Sequence, residues 1–409
     1  MAELSPASAG DAVARLLAAA GPILSLDIGS GTQDVLLALP GERAENWPRF
    51  VLPSPALGIA DRIRRHTAAG RPVWLYGHNM GGGFAVAVQE QVAAGLAPAA
   101  SPDAALALHD NPERVKAQGV SITPSCPKGY AAVPLADYEP GFWDGLLSAA
   151  GLPKPSLVVA AAQDHGHHPE GNRVGRFNLW RALLTETQGD PARWLYDTSP
   201  TPCTRLNALQ QCTGGPVADT ATAAVLGALA APEVAKRSQR QGVTVVNVGN
   251  SHVAAFLVFK GRILGVYEHH TGMLDTDALL FDLKEFGFGW LPDEQVRAKG
   301  GHGCAFLAPL PPEAEGFAPT FAVGPRDAAG ARPIHRPARR HDDCGLPRAA
   351  ARPCVARGIM VCIGEEENLP ARKGSPPLPQ PFSRPFPRFL PGGVAARREF
   401  RWMRECFYG

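Results

Sequence analysis

One pattern occurs twice along this chain and limits what it can fold into more than any other feature. The apolar run 22–28 is a buried strand, and Gly29-Ser30-Gly31 follows it as a tight turn. Strands over 35–39 and 49–52 and a helix over 57–69 come next. The order then returns. A strand over 243–248 leads into Gly249-Asn250-Ser251-His252, and strands over 253–259 and 263–268 join at Lys260-Gly261. A helix over 275–286 closes the unit. Asp27 and Asn247 hold equivalent places 220 residues apart. Strands alternating with helices predict an α/β fold, and a repeat at this distance predicts two similar lobes with a cleft between them.

The stretch between the copies is mixed. A strand over 73–76 runs into Met80-Gly81-Gly82-Gly83 and a helix through 94. Residues 100–150 are loop-rich with short helices. The run 157–162 is a strong buried strand ending at Gln163-Asp164-His165-Gly166, with helical patterns over 175–187 and 217–231. This divides the chain into an N-terminal amphipathic helix (1–20), a first lobe (21–150), its completion with connecting helices (151–240), and an incomplete second lobe (241–324).

The tail, 325–409, differs in kind. It holds 13 Pro and 15 Arg with 1 Lys, against 3 Asp and 5 Glu, a net charge of +8. The whole chain carries only +2, so the other 324 residues carry −6. The basic character belongs to the tail, and the body has no electrostatic footprint for nucleic acid. Without periodicity, the tail is expected to be disordered or translated out of frame. The 32 Arg against 8 Lys suggest GC-rich coding, and another frame over 341–348 can encode a Gly-rich loop. The body, in a chain 45% hydrophobic and 19% charged, can bury a sizeable core. The longest uncharged apolar run, 220–232, is too short to span a bilayer, and the N-terminus lacks the cationic start of a signal peptide. A soluble cytoplasmic protein is expected, with no membrane or nucleic-acid partner. A small-molecule substrate and a protein partner both remain possible readings.

Chemistry concentrates at the turns. In Asp27-Ile28-Gly29-Ser30-Gly31-Thr32-Gln33-Asp34, glycines let a polyanion approach the backbone amides, and the Ser and Thr hydroxyls add donors. Asp27 at the strand end can orient Mg²⁺ through water. An ordinary Gly-rich hairpin is the plainer alternative. Gly81 and Gly82 could present amides to an anion or serve close helix–strand packing. Gly300 and Gly301 could touch an adenosine or form a surface turn.

These residues carry a resemblance. The stretch DIGSGTQDVLL resembles the phosphate-binding hairpin of the actin, sugar-kinase and heat-shock-chaperone ATPase superfamily. That implies duplicated ribonuclease H-like lobes, ATP and Mg²⁺ as cofactors, and ATP hydrolysis or phosphoryl transfer. The phosphates would be gripped by 27–34 from one side and by Asn247, Gly249, Asn250 and His252 from the other. The second copy departs from the superfamily, with Asn247 for the usual Asp, and Asp34 stands where kinases often have Lys or Arg. A non-catalytic nucleotide sensor is therefore a further reading. Longer blocks, including GHNMGGGFAVAV (77–88), AAQDHGHHPEGNRVGRF (161–177) and GGHGCAF (300–306), resemble a microbial family labelled pyruvate formate-lyase activating enzyme, over about 21–324. That label implies a radical enzyme, but the eight Cys form no CxxxCxxC triad, so no iron–sulfur cluster is expected.

Histidine clusters at predicted strand ends and loops: His165, His167, His168, His269, His270 and His302, beside Asp164 and Glu268. A Zn, Mn or Fe site serving a metal-dependent hydrolase or lyase is one reading. Acid–base catalysis, with Asp164 or Glu268 polarising a nucleophile and a neighbouring His such as His165 taking the proton, is another. Local satisfaction of backbone groups is the third. Arg173 could bind an anion or be a solvated loop charge. Cys203 fits a small buried residue better than a nucleophile.

Overall fold

The computed structural model describes residues 21–168, 172–307 and 309–324, without the side chains of 172 and 173. All belong to one compact unit. The expected N-terminal helix and the basic tail lie outside the described residues.

Three sheets build this unit. The first pairs β1 (Ile23–Ile28) antiparallel with β2 (Thr32–Ala38), and β2 with β3 (Arg49–Pro53). On its other side β1 runs parallel to β8 (Leu157–Ala162), followed by β10 (Val217–Ala218) and β9 (Leu195–Tyr196). One face packs Leu24, Leu26, Val35 and Leu37 against Trp143, Leu147, Leu206 and Leu209. Ile23, Leu36, Ala38 and Trp47 close the other face. With apolar neighbours on both sides, β1 reads as a continuous apolar run and not as an alternation.

The second sheet runs β14 (Gly303–Phe306), β13 (Arg262–His270), β12 (His252–Phe259), β11 (Val243–Val248) and β15 (Thr320–Val323). Here β11, β12 and β13 form an antiparallel meander, and β11 runs parallel to β15. So in both sheets a three-strand meander begins beside a parallel strand. One face of this sheet receives the helices Asn172–Thr187, Thr220–Ala230 and Pro232–Arg240 through Phe177, Trp180, Val225 and Val234. The helix Thr276–Gly287 covers the other with Leu283 and Phe286. The third sheet is parallel and smaller, ordered β6 (Ser121–Ile122), β5 (Ala99–Ala100), β4 (Val73–Gly77) and β7 (Ala131–Leu135). It packs on the helices Pro55–Ala68 and Ala85–Ala93.

Thus an α/β protein with several sheets is observed, as expected. The stretch 100–150, read as loop-rich, also contributes β6 and the edge strand β7. β15 was not expected. It supplies the parallel neighbour of β11 and the fifth strand of the second sheet. No helix among the described residues is long and apolar enough to cross a membrane.

Candidate functional site

The two repeated turns close in the same way. The Gly29 amide donates to the Thr32 carbonyl at 2.9 Å, and the Gly249 amide donates to the His252 carbonyl at 2.9 Å. A Cβ on Gly29 would lie 3.0 Å from the Thr32 oxygen, and one on Gly249 would lie 2.9 Å from the His252 oxygen. Each glycine is thus required by its own turn, and its amide is already engaged there. The tips meet: Ser30 Oγ and Ser251 Oγ lie 2.8 Å apart.

Both turns line one cavity of about 470 Å³. Asp27, Gly29 and Ser30 form one wall and Asn247, Gly249, Asn250 and Ser251 another. Gly81 and Gly82 also line it. Gly81 is confined by Arg205, whose Nη2 would sit 2.8 Å from an added Cβ, so close packing accounts for this glycine whatever the cavity holds. The helix Thr220–Ala230 turns Ala223, Ala224, Gly227 and Ala228 to the cavity, a flat apolar wall. β15 and Gly324 complete it.

Asp27 is the acidic group of the first wall. Thr220 Oγ1 donates to its Oδ1 at 2.8 Å. Burial pushes its carboxyl up to about 8; the Thr220 hydroxyl opposes this, and Asp34, paired directly across the strands, adds to it. Arg205 lines the cavity too, held by a bidentate ion pair to Asp137 at 2.7 and 3.0 Å and donating to the Gln163 carbonyl at 2.9 Å. Sequence reasoning missed Arg205, Asp137 and Thr220, because partners 68 and 193 residues apart leave no local pattern.

Other candidates lie off the cavity wall. Gln33 is buried, its Nε2 donating to the Pro53 carbonyl at 3.1 Å. Gly31, Thr32 and Asp34 continue the hairpin. Gly300, in the left-handed region at φ 88°, and Gly301 turn the chain beside Met273 and His269. Asp164 accepts from the Gly166 amide at 2.7 Å and the Leu206 amide at 2.9 Å, so both carboxylate oxygens hold the loop after β8. Burial raises its pKa against those amides. Cys203 is buried, its thiol pushed up to about 12 by that burial.

Behind the turns lies a charged core that the sequence did not reveal. Arg176 is 3% exposed. It donates to Asp219 at 2.6 and 3.1 Å, to Glu268 at 2.9 and 3.0 Å, and to the Asp164 carbonyl. Trp180 Nε1 donates to Glu268 at 3.0 Å. Burial alone would raise Glu268, but Arg176 and the facing histidines hold its carboxyl well below the usual range. Asp219 also caps the helix Thr220–Ala230, accepting from the Ala221 amide at 2.9 Å. Arg173, singled out in the sequence, has a side chain outside the described residues. Arg176, three residues on, is the buried cation.

Two histidines of the expected cluster, His165 and His302, converge against this core with His252, which was expected at the phosphate-gripping turn. The ring nitrogens of His165, His252 and His302 lie within 4.8 Å of one another. His270 joins them, its ring 4.6 Å from that of His252 and 4.7 Å from that of His302. Burial, then the Arg176 charge, holds His165 well below its ordinary pKa; burial lowers His252 as well. His167 is exposed beside Asp110.

A profile of the family described as "Putative pyruvate format-lyase activating enzyme (DUF1786)" matches residues 80–329. The chain belongs to this family. The match begins beyond the first hairpin and spans the charged core and the second one. No curated protein matches. Among solved structures, the ROK hexokinase from Thermus thermophilus is 15% identical, with a TM-score of 0.19, over 59% of this chain and 48% of that one. The chain therefore spans about half the length of that structure. The family description would imply an iron–sulfur cluster, and the donors among the described residues do not fit one. Among the described residues the one group of three convergent His, Cys, Asp or Glu side chains is all histidine. The described cysteines, at 126, 203, 212 and 304, are free and form no such group. Cys344, Cys354, Cys362 and Cys406 lie outside the described residues.

Proposed function

We propose that this protein binds a Mg-nucleotide in the cavity and uses it for ATP hydrolysis or phosphoryl transfer to a small molecule, on a duplicated actin-like scaffold. One observation carries the reading. Two turns of identical hydrogen bonding, from equivalent ends of two similarly ordered sheets, line a single cavity and touch at their tips. The amides of Gly29 and Gly249 close the turns, so the phosphates would be met by the amides that follow and by the hydroxyls of Ser30 and Ser251. The apolar wall of Ala223, Ala224 and Gly227 suits the face of a base, and the cavity volume lies in the usual range for such ligands.

Asp27 and Asp34 fit a hard cation. Two carboxyls opposed across a strand pair, one of them pushed up to about 8, form a site that a divalent ion would relieve. Asp27 would hold Mg²⁺ through water, and the ion would neutralise phosphate charge. Asn247 at the opposite turn is neutral and leaves the cation to the first hairpin. Calorimetry with Mg-ATP tests the reading: binding is expected at millimolar ATP or below, and weaker binding in Asp27→Asn. No heat at millimolar ATP from folded protein rejects it.

A further inference from the structure

His165 follows β8 of the first sheet, His252 opens β12 and His302 precedes β14 of the second. Three imidazoles from three separate turns converge with their ring nitrogens within 4.8 Å. Both ring nitrogens of His252 are shut off from solvent and have no hydrogen-bond partner. Two orphaned polar atoms on one ring are costly to bury. Facing two other imidazoles, they lack an electrophile.

We propose that His165, His252 and His302 bind one divalent first-row transition ion, with zinc the best match, and that Glu268 positions His302 from the far side of its ring. Glu268 Oε2 lies 3.8 Å from His302 Nδ1, longer than a hydrogen bond, and the ring movement that metal binding requires would bring Nδ1 to the carboxylate and leave Nε2 for the ion. Three nitrogens around a tetrahedral zinc stand about 3.4 Å apart, so the rings must draw together by roughly 1 Å, a small side-chain rotation. Imidazole donors select zinc and its neighbours and not Mg²⁺, which prefers oxygen. The site is therefore distinct from the cation proposed at Asp27, and it needs no nucleotide. Three protein ligands leave the fourth position open to an exchangeable ligand. His252 follows Ser251 and His165 lies two residues past Gln163, both on the cavity wall. The ion would tie the two sheets together beside that cavity.

The test uses the full chain, stripped with chelator, dialysed and titrated with zinc chloride in the absence of nucleotide. Uptake of one ion per chain is expected, with a zinc-dependent rise in melting temperature. His252→Gln and His302→Gln should each weaken binding by about a hundredfold or more, whereas His66→Gln, on the helix Pro55–Ala68, should not. Cobalt substitution of the unmutated protein gives a readout that survives a misfolded variant: visible bands of a nitrogen-ligated ion without thiolate charge transfer. No zinc uptake by folded protein overturns the proposal. So does undiminished binding in folded His252→Gln or His302→Gln, or a thiolate cobalt spectrum. None of these outcomes depends on whether ATP binds, so the two readings fail separately.

Discussion

Asp27 sits where burial and a facing acid both oppose its charge. Its pKa, 3.8 in the unfolded chain, rises to about 8 in the folded one. Below pH 3.8 the group is protonated in both states and costs nothing. As pH rises from there to about 8, the unfolded state ionises and the folded state resists, so the cost to folding grows with pH. Asp27→Asn removes that cost while keeping an acceptor for Thr220. In metal-free buffer the variant should melt higher than the parent by about 5–10 °C near pH 8 and by about a degree or less near pH 4, seen in paired thermal melts. Equal melting at both values would remove the electrostatic account. Arg176 presents the reverse case. Arg176→Met leaves Asp219 and Glu268 as buried carboxylates without their cation and should cost about 3–5 kcal/mol in denaturant titrations.

The turns make their own prediction. An added Cβ at Gly29 or Gly249 presses on a backbone carbonyl that cannot move without opening the turn. Gly29→Ala and Gly249→Ala should each cost about 1–3 kcal/mol, in step because the turns are equivalent. A Cβ at Gly31 meets nothing within 4 Å, and Gly31→Ala should stay within about 0.5 kcal/mol of the parent. Chemical denaturation of the three variants distinguishes a steric requirement from a general effect of replacing glycine. At this scale the long strands and their flanking helices were legible, and the short strands of two to five residues added from β5 to β15 were not. β8 and β11 fall on the expected runs, because strands with apolar neighbours on both faces are continuous and apolar. β15 was missed for a physical reason: four residues between Pro319 and Gly324 are too few to show a period, and the strand is specified by its pairing with β11.

Across the whole molecule, the contact between Ser30 and Ser251 joins the two walls of the cavity at the tips of their turns. A polyanion held between the hairpins must separate these hydroxyls. A Ser30→Cys/Ser251→Cys protein should form a disulfide on oxidation, and the oxidised form should lose Mg-ATP binding, with recovery on reduction. Mass spectrometry identifies the bridge and calorimetry reads the binding. Unchanged affinity across the bridge would move the ligand away from the tips.

The sequence by itself determined the elements that depend on local pattern: the long apolar strands, the glycine turns with their acid or amide, and the helices around them. Tertiary structure alone decided which of these meet. Asp27 finds Thr220, Arg205 finds Asp137, and Arg176 gathers Asp219 and Glu268 across 43 and 92 residues. His165, His252 and His302 become one cluster only when the two sheets come together. The reason is that a buried charge or imidazole is satisfied through space, by whichever partner the packing brings within about 3 Å, and the linear chain carries no period or spacing that encodes such a partner.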